Sequence, residues 1–340
     1  MFDRKYAYHY LVAVGVVAVA SYFGDKIKQG LTSNDAENEL IRKYLLNESP
    51  LYGMNRPKIW VHSTYEKNAR QWKDFYSRNS TDLNQPYIHL TIKSIINHCG
   101  RDFNICLIDD ETFSKLIPTW DVNMSTLSDP HKALYREVGM LQLLYLYGGM
   151  IVPNSFVCLK NLLPLYEETS EGRPFVTEEI NRTCNVAAKR ESRNFVPSIK
   201  MMGARKGCPE LKRMLAENKI DGNGHFTVET KFLGNIQQWL YAKGDKFTVV
   251  NGKLIGTKST KGKQILLEDL MSENYLDLDP EAYGVYIPAD EVLVRPKYQW
   301  LAHLSSQEVL KTNAIIVKYL KSSEANEYFT DHTIQSVATI

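Results

Sequence analysis

The residues best placed for chemistry follow a junction between a helix and a strand. Between Leu143 and Ser155, an apolar helical run stops at the glycine pair Gly148-Gly149 and passes directly into a short apolar strand. Ligands of α/β enzymes bind beyond the carboxyl ends of the strands, which is where Asn154 and Ser155 fall. Their amide and hydroxyl groups can form hydrogen bonds with a polar ligand. This junction is therefore the first candidate for a binding site.

The acidic pair Asp109-Asp110 is the second candidate. The short β-rich run 57–62 predicts a first buried strand, and the helical spacing of apolar residues over 87–98 predicts a helix. A second strand, 103–108, ends at the acidic pair. The order strand, helix, strand and acidic loop indicates the start of a doubly wound α/β sheet, whose ligands bind at this end of the strands.

The helix before the glycine pair has clear boundaries in the sequence. Ser128 or Asp129 can cap its start, and Pro130 suits the first helical position because an amide hydrogen there has no partner within the helix. Gly148 stands where a left-handed residue usually ends a helix. We predict a helix from about residue 130 to 147.

The order of these features resembles that of the capsular polysaccharide synthesis and Och1-like glycosyltransferases. Four features carry the resemblance: Pro-Lys-Ile-Trp at 57–60, the acidic loop, the Tyr-x-Tyr-Gly-Gly and the strand that follows it, and the run Cys-Leu-Lys-Asn-Leu at 158–162. The resemblance covers 56–310. It implies a GT-A-like α/β fold, a nucleotide-sugar donor, and a glycan or other glycoconjugate as acceptor.

The resemblance also implies roles for single residues. Asp109, Asp110 and Glu137 become the candidate catalytic carboxylates. In the family, an Asp-x-x-Arg pair on the long helix projects toward the donor, and those positions are Glu137 and Met140 here. Arg136 lies about one turn before Met140, so its guanidinium is the candidate substitute for binding a diphosphate. A solvated salt bridge is the alternative for Arg136 and Glu137.

The other donor-binding candidates lie at strand ends and late in the chain. By analogy, Trp60 and His62 meet the nucleobase, although Trp60 suits the core equally well. His303, beside Trp300, is the late candidate near the diphosphate, and a structural histidine is its alternative. The complete predicted donor-binding set is Trp60, His62, Arg136, Gly148, Gly149, Asn154, Ser155 and His303.

The metal-binding Asp-x-Asp of the family is replaced in this chain. Its carboxylate positions are Pro153 and Ser155. A divalent metal such as manganese needs hard oxygen ligands, which proline cannot supply and serine supplies only weakly. We therefore predict no metal ligand, and a cationic side chain would have to stabilise the diphosphate instead. The candidates are Arg136, Lys160, Arg205 and Lys206.

A second stretch repeats the letters of that motif. Asp277 and Asp279 have the right spacing, but they lack the glycine pair and are followed by Pro280. We interpret them as an acidic turn, with a displaced metal ligand as the alternative. A glycosidase would use two carboxylates, from Asp277, Asp279, Glu178 or Glu179, but their positions give it no further support.

The composition is that of a globular protein. The chain has 340 residues, is 44% hydrophobic, and carries a net charge of only +2, which argues against a broad nucleic-acid surface. Its five cysteines include no Cys-x-x-Cys pair. This odd number argues against a zinc site and a fully paired disulfide framework, so buried apolar cysteines are the simplest interpretation.

The N-terminus predicts a membrane anchor. Residues 7–24 contain no Asp, Glu, Lys or Arg and approach the roughly 20 residues that cross a bilayer. A cleaved signal peptide and a buried core helix are the alternatives. Because basic residues flank both ends almost equally, orientation and compartment are not predicted. The predicted organisation is an anchor (1–25), a stem (26–55), a glycosyltransferase-like domain (56–321) and a polar tail (322–340).

Two hypotheses follow from the sequence. In the first, the chain is a single-pass membrane-anchored glycosyltransferase that uses a nucleotide sugar. In the second, the same fold has lost catalysis and serves as a sugar-binding or scaffolding protein at a membrane. Acidic side chains from 109–110 or 277–279 that converge on the loop 153–155 would favour the enzyme, whereas a pocket lined by apolar groups would favour the binding protein.

Overall fold

The computed structural model describes residues 56–63, 85–170, 173–178, 197–217 and 235–325. The predicted anchor and stem lie outside these residues, as do Cys184, Glu179 and residues 326–340. The strands are β1 (Lys58–His62), β2 (Asn104–Ile108), β3 (Gly149–Ile151), β4 (Phe156–Cys158), β5 (Phe175–Glu178), β6 (Pro197–Ala204), β7 (Thr248–Val250) and β8 (Gly284–Tyr286). The helices are α1 (Tyr87–Cys99), α2 (Thr112–Leu116), α3 (Asp129–Tyr147), α4 (Leu163–Ser170), α5 (Pro209–Glu217), α6 (Asn235–Ala242), α7 (Leu267–Leu270), α8 (Ala289–Val294), α9 (Trp300–His303), α10 (Ser306–Leu310) and α11 (Ile315–Ala325).

None of the helices in these described segments has the length and hydrophobicity needed to cross a bilayer.

The central sheet has six strands in the order β2-β1-β3-β6-β5-β7. β1 runs parallel to β2 and β3, as expected for a doubly wound sheet. β6 is antiparallel to both of its neighbours, and β5 is parallel to β7. The α/β class with a central sheet is therefore confirmed, but the sheet is mixed rather than continuously parallel.

This strand order collects several strand ends at one place. The carboxyl ends of β2, β1, β3, β5 and β7 share an edge with the amino end of β6, because β6 alone runs the other way. We call this the carboxyl edge. It is the edge at which ligands of open α/β sheets bind.

The long helix α3 confirms the predicted helix before the glycine pair. It runs from Asp129 to Tyr147, with Pro130 in its first turn and Gly148 after its end at φ +70°. Four apolar side chains of α3 are buried in the main core: Met140, Leu141, Leu143 and Leu144. Met140, at the position of the arginine in the resembling family, is therefore a core side chain.

A second sheet packs beside the first. It consists of β4 antiparallel to β8, and the largely buried helix α1 contacts β4. α11 also packs on α1 and β4, and Ser323 is buried and donates to the carbonyl of Cys158 at 2.8 Å. The folded domain therefore continues past the predicted boundary at residue 321.

The cysteines of the described segments are buried, as predicted. Cys99, Cys106, Cys158 and Cys208 are all free thiols. The Sγ atoms of Cys99 and Cys158 lie 3.8 Å apart where α1 packs on β4. They behave as small apolar core residues.

Candidate functional site

Three predicted residues meet at the carboxyl edge: His62 at the end of β1, Asp110 after β2 and Arg136 on α3. Arg136 donates to both carboxylate oxygens of Asp110, from Nε to Oδ1 at 2.7 Å and from Nη2 to Oδ2 at 2.6 Å. Nε2 of His62 lies 2.9 Å from Oδ1 of the same carboxylate. We call these three side chains the histidine cluster. It is the closest grouping of the residues predicted from the sequence.

Asp110 stays ionised in this cluster. Burial by itself raises the pKa of Asp110, but the hydrogen bonds from Arg136 and His62 and their positive charge outweigh burial. The pKa of this carboxyl therefore lies well below its ordinary value. Because the carboxylate binds the guanidinium through two hydrogen bonds, Arg136 is held in position by Asp110, and its role in binding a diphosphate stays a prediction.

Aromatic packing fixes the position of the cluster. The ring of His62 stacks on Phe113, with centroids 5.6 Å apart and an interplanar angle of 7°. Phe113 is fully buried and its ring centroid lies 5.1 Å from that of Trp120. A Cβ at Gly139 would come within 2.8 Å of Phe113, so α3 approaches this ring closely at a glycine. Phe113, packed against Trp120 and α3, therefore holds the ring of His62 in position.

Asp109 lies beside the histidine cluster and contacts the helix that follows it. Oδ1 of Asp109 accepts from the amide of Thr112 at 2.9 Å and from its hydroxyl at 2.6 Å. Asp109 therefore organises the first turn of α2. Glu137 is an exposed residue beside Arg136. The catalytic roles of Asp109, Asp110 and Glu137 stay predictions.

Trp60 and the glycine pair form the core under the site. Trp60 is fully buried, and its indole nitrogen donates to the carbonyl of Gly148 at 3.0 Å. It is a core residue, and the prediction that it meets a nucleobase is wrong. Gly148 and Gly149 precede and begin β3, at the opposite edge from Pro153, so they do not line the carboxyl edge either.

Close backbone packing explains why both positions are glycine. A Cβ at Gly149 would lie 2.2 Å from the carbonyl oxygen of Lys58, and one at Gly148 would lie 2.7 Å from the amide nitrogen of Lys206. Both residues have positive φ. The pair lets β3 enter the sheet between β1 and β6. Arg205 and Lys206, which are exposed, share this opposite edge, so neither lies with Pro153.

The loop after β3 is held by its backbone. The carbonyl of Asn154 accepts from the hydroxyl of Thr91 on α1 at 2.5 Å, and the carbonyl of Ser155 accepts from the amide of Ile287 at 3.0 Å. Asn154 is half-buried, whereas Ser155 is only 1% exposed. Of this predicted pair, Asn154 has the more accessible side chain. Its donor-binding role stays a prediction.

A cleft opens beside this loop and along the strands that follow. It is narrow, with a cavity volume of about 10 Å³, and includes residues from β5, β6 and β8. Glu178 at its wall pairs with Lys258, Nζ to Oε2 at 2.5 Å, and Lys200 lies 3.8 Å from a carboxylate oxygen of Asp290. We call this cleft, with Lys258, the lysine cleft. Its wall includes Pro153, Thr177, Glu178, Ser198, Lys200 and Tyr286.

The late candidates lie elsewhere. His303 ends α9 as a half-buried residue and stays an untested prediction. Asp277 accepts from the hydroxyl of Thr260 at 2.7 Å, and Asp279 accepts from the amide of Glu281 at 2.9 Å. These contacts support the interpretation of 277–279 as an acidic turn. Lys160, a candidate cation, donates to the carbonyl of Pro280 at 2.6 Å near that turn.

The described residues do not fit a divalent metal at loop 153–155. Pro153 has no donor atom in its side chain, and Ser155 is buried. Within the described segments, no group of three His, Cys, Asp or Glu side chains is arranged to hold a metal ion. Manganese would prefer several oxygen ligands, among them carboxylates. The residues that the structure places here are instead lysines in ion pairs.

Sequence reasoning missed the lysine cleft. Lys200 is a lysine inside an otherwise apolar strand, and that irregularity was the available signal. Glu178 was considered only for a glycosidase, and Lys258 gives no signal in the run Gly-Thr-Lys-Ser-Thr-Lys-Gly-Lys at 256–263. Their pairing depends on contacts between distant segments.

Comparison with known proteins gives little further information. No protein-family model matches the chain, and no curated protein matches it in sequence. Among solved structures, the chain is similar to "PaToxG Glycosyltransferase", with 12% identity and a TM-score of 0.34. The alignment covers 87% of this chain and 98% of that one. A likeness this weak establishes neither a family nor an activity.

Proposed function

We propose that this chain is a glycosyltransferase that moves a sugar from a nucleotide-sugar donor to a hydroxyl of a glycan or other glycoconjugate. The observation that supports it best is the carboxyl edge. The histidine cluster and the lysine cleft both lie along that edge, where ligands of open α/β sheets bind. The order of sequence features that resembles the Och1-like glycosyltransferases gives the reaction class.

The reaction requires charge stabilisation more than any other contribution. The bond between the anomeric carbon and the diphosphate breaks, and its electron pair leaves with the nucleoside diphosphate. An acceptor oxygen forms the new bond to the same carbon and loses its proton to solvent or to a base. Fixed cations beside the diphosphate stabilise the charge that develops on it. Lys200 lines the cleft together with Pro153, and Lys258 pairs with Glu178 at the cleft wall.

A second candidate function has its own supporting observation. Pro153 and the buried Ser155 occupy the metal-ligand positions, and the buried Met140 occupies the arginine position of the resembling family. A fold that lost these groups together can retain sugar binding without transfer. This alternative is a sugar-binding or scaffolding protein, and it requires ligand binding without turnover.

Thermal unfolding of the full-length chain in detergent tests the donor site. The ligands are UDP, GDP, UDP-glucose, UDP-N-acetylglucosamine and GDP-mannose, each with and without manganese. A ligand that binds only the native state stabilises it by about 2.7 kcal/mol at about 100 Kd, so one nucleotide and its sugar should raise the midpoint by several degrees. Unchanged midpoints with every ligand at millimolar concentration would contradict both candidate functions.

Turnover separates the two candidates. Each stabilising nucleotide sugar is incubated with the chain and with mixed glycan acceptors, and release of the nucleoside diphosphate is measured. Release above that of heat-inactivated protein supports the transferase. Tight binding with no release, with acceptor or with water, supports the binding protein instead.

Membrane attachment is part of the proposal and has a test of its own. The full-length chain is mixed with phosphatidylcholine vesicles and floated on a density gradient, beside a variant carrying Val16→Asp and Val17→Asp. A charge at the bilayer centre costs about 2.5–3.5 kcal/mol on insertion scales, so the variant should stay at the bottom while the natural chain floats. Equal flotation of both would argue against residues 7–24 as the anchor.

A further inference from the structure

Two cysteines meet where α1 packs on β4. Cys99 is the last residue of α1 and Cys158 is the last residue of β4, and their Sγ atoms lie 3.8 Å apart. Both side chains are fully buried. The sulfur atoms of a disulfide are about 2.05 Å apart, so these two would have to approach each other by roughly 1.8 Å. Rotation about the Cα–Cβ bonds can move a sulfur atom by this distance without a change in the backbone.

Hydrogen bonds on both sides of Cys158 hold it against α1. Its amide donates to the hydroxyl of Ser94 on α1 at 2.8 Å, and its carbonyl accepts from the hydroxyl of Ser323 on α11 at 2.8 Å. The hydroxyl of Thr91, also on α1, donates to the carbonyl of Asn154 just before β4 at 2.5 Å. The packing of three elements therefore brings the two thiols together.

The other two described cysteines make different contacts. The thiol of Cys106 lies 3.7 Å from the carbonyl oxygen of Asn104, and that of Cys208 lies 3.3 Å from a carboxylate oxygen of Glu210. Five cysteines cannot all pair within one chain, but the odd number leaves room for a single disulfide. Among the described cysteines, the geometry favours Cys99 and Cys158 as that pair.

The accessibility of the two thiols determines when they can react. Burial raises the pKa of the Cys158 thiol well above its ordinary value, and the neighbouring Cys99 thiol raises it further. Because the thiolate is the nucleophile in thiol–disulfide exchange, the folded and reduced pair should react slowly. In the unfolded chain, both thiols are exposed to solvent. The reaction should therefore occur during folding, before α1 and β4 cover the two sulfur atoms.

We propose that Cys99 and Cys158 form a structural disulfide when the chain folds in the presence of a small-molecule disulfide such as oxidised glutathione. The thiolate of one cysteine attacks a sulfur of oxidised glutathione and releases one glutathione. The second cysteine then attacks the mixed disulfide and releases the other glutathione. Together the two cysteines lose two electrons and two protons, which oxidised glutathione gains. This inference is independent of the proposed function.

The disulfide would join two elements that are far apart in the chain. The two cysteines are separated by 59 positions, so the bond closes a long loop and lowers the conformational entropy of the unfolded chain. It also joins α1 to the strand that follows the loop 153–155. We expect the thermal midpoint of the oxidised chain to exceed that of the reduced chain by about 5 °C or more.

Peptide mapping tests the pairing. The full-length chain is unfolded in guanidinium chloride with dithiothreitol and refolded in detergent with reduced and oxidised glutathione. The remaining thiols are blocked with N-ethylmaleimide, and the chain is digested with trypsin without reduction. Cleavage after lysine and arginine gives the peptides 94–101 and 137–160, which contain Cys99 and Cys158. Mass spectrometry should find these two peptides linked. Blocked thiols at both positions, or a bond from either one to another cysteine, would overturn the proposal.

Thermal unfolding with and without dithiothreitol gives a second measurement. The midpoint of the natural chain, refolded with glutathione, should fall by about 5 °C or more on reduction. Cys99→Ala should have the same midpoint in both conditions, whereas Cys208→Ala, the matched control, should respond as the natural chain does. Because each variant is compared with itself, a general loss of stability from the substitution does not affect the result. Equal responses of Cys99→Ala and Cys208→Ala, or no response of the natural chain, would overturn the proposal.

Discussion

The histidine cluster and the lysine cleft occupy the same sheet edge but are built differently. In the histidine cluster, one carboxylate accepts hydrogen bonds from two side chains, and His62, Asp110 and Arg136 are only 16%, 23% and 26% exposed. In the lysine cleft, Lys258 pairs closely with Glu178, whereas the pair of Lys200 and Asp290 is long and open to solvent.

The histidine cluster and the lysine cleft therefore differ in how much they contribute to the stability of the fold. The short hydrogen bonds of the histidine cluster hold β1, the loop after β2 and α3 together. The exposed pair of Lys200 and Asp290 contributes little to stability. We therefore expect substitutions in the cluster to lower the free energy of unfolding more than a substitution at Lys200 does.

Gly149→Ala should have the largest effect, because it disrupts the start of β3. This strand lies between β1, which carries His62, and β6, which carries Lys200. Its Cβ would lie 2.2 Å from the carbonyl oxygen of Lys58, at φ +101°. We expect a loss of about 4 kcal/mol or more in the free energy of unfolding, measured with urea, or no folded protein. Gly262→Ala is the control, because its φ is +76° but nothing lies within 4 Å of the added Cβ. That variant should lose only about 1–2 kcal/mol.

Asp110→Ala tests the bracing role of the histidine cluster. It leaves Arg136 and His62 without the carboxylate that both contact, so we expect a loss of about 3 kcal/mol in the free energy of unfolding. If Asp110→Ala were as stable as the natural chain, the histidine cluster would not contribute to the stability of the fold.

Acid should remove the contribution of Asp110. The pKa of this carboxyl is lowered in the folded chain, so its stabilising effect is complete above the pKa of the unfolded chain, about 3.9, and is lost as the pH falls toward the folded pKa. The stability difference between the natural chain and Asp110→Ala should be constant from pH 7 to about pH 5 and should shrink below about pH 4. Urea unfolding at these pH values measures it. A difference that grows in acid would contradict the assigned direction.

Lys258→Met and Lys200→Met should separate the two lysines of the cleft. Loss of Lys258 leaves the mostly buried carboxylate of Glu178 without its ion-pair partner, at an expected cost of about 1–2 kcal/mol in unfolding free energy. Loss of Lys200 should change that free energy by less than about 0.5 kcal/mol, because its pair is exposed. Equal stability losses in both variants would show that both ion pairs of the lysine cleft stabilise the fold to the same extent.

The first half of the fold followed closely from sequence pattern. The predicted strands 57–62 and 103–108, the helix 87–98 and the helix 130–147 all match elements of the structure to within one or two residues. Each has a local cause, such as apolar spacing, a cap or the glycine that ends a helix. The meeting of His62 with Asp110 also follows, because parallel neighbouring strands end at one edge.

The same reasoning misplaced the residues whose positions depend on burial. Trp60 was assigned equally to a ligand and to the core, and only packing placed it in the core. Gly148 and Gly149 signalled a special backbone, but their pattern gave no information about which edge of the sheet they occupy.

The sequence by itself determined the α/β class, the central long helix, the loss of the metal carboxylates at Pro153 and Ser155, and the acidic loop, because each depends on residues close together in the chain. The tertiary structure alone decided that β6 runs antiparallel beside β3, that Arg136 binds Asp110, and that Glu178, Lys200 and Lys258 share one cleft. Those arrangements depend on pairing between strands and side chains from distant segments. Local secondary-structure propensity and hydrophobic periodicity do not predict which distant segments pair.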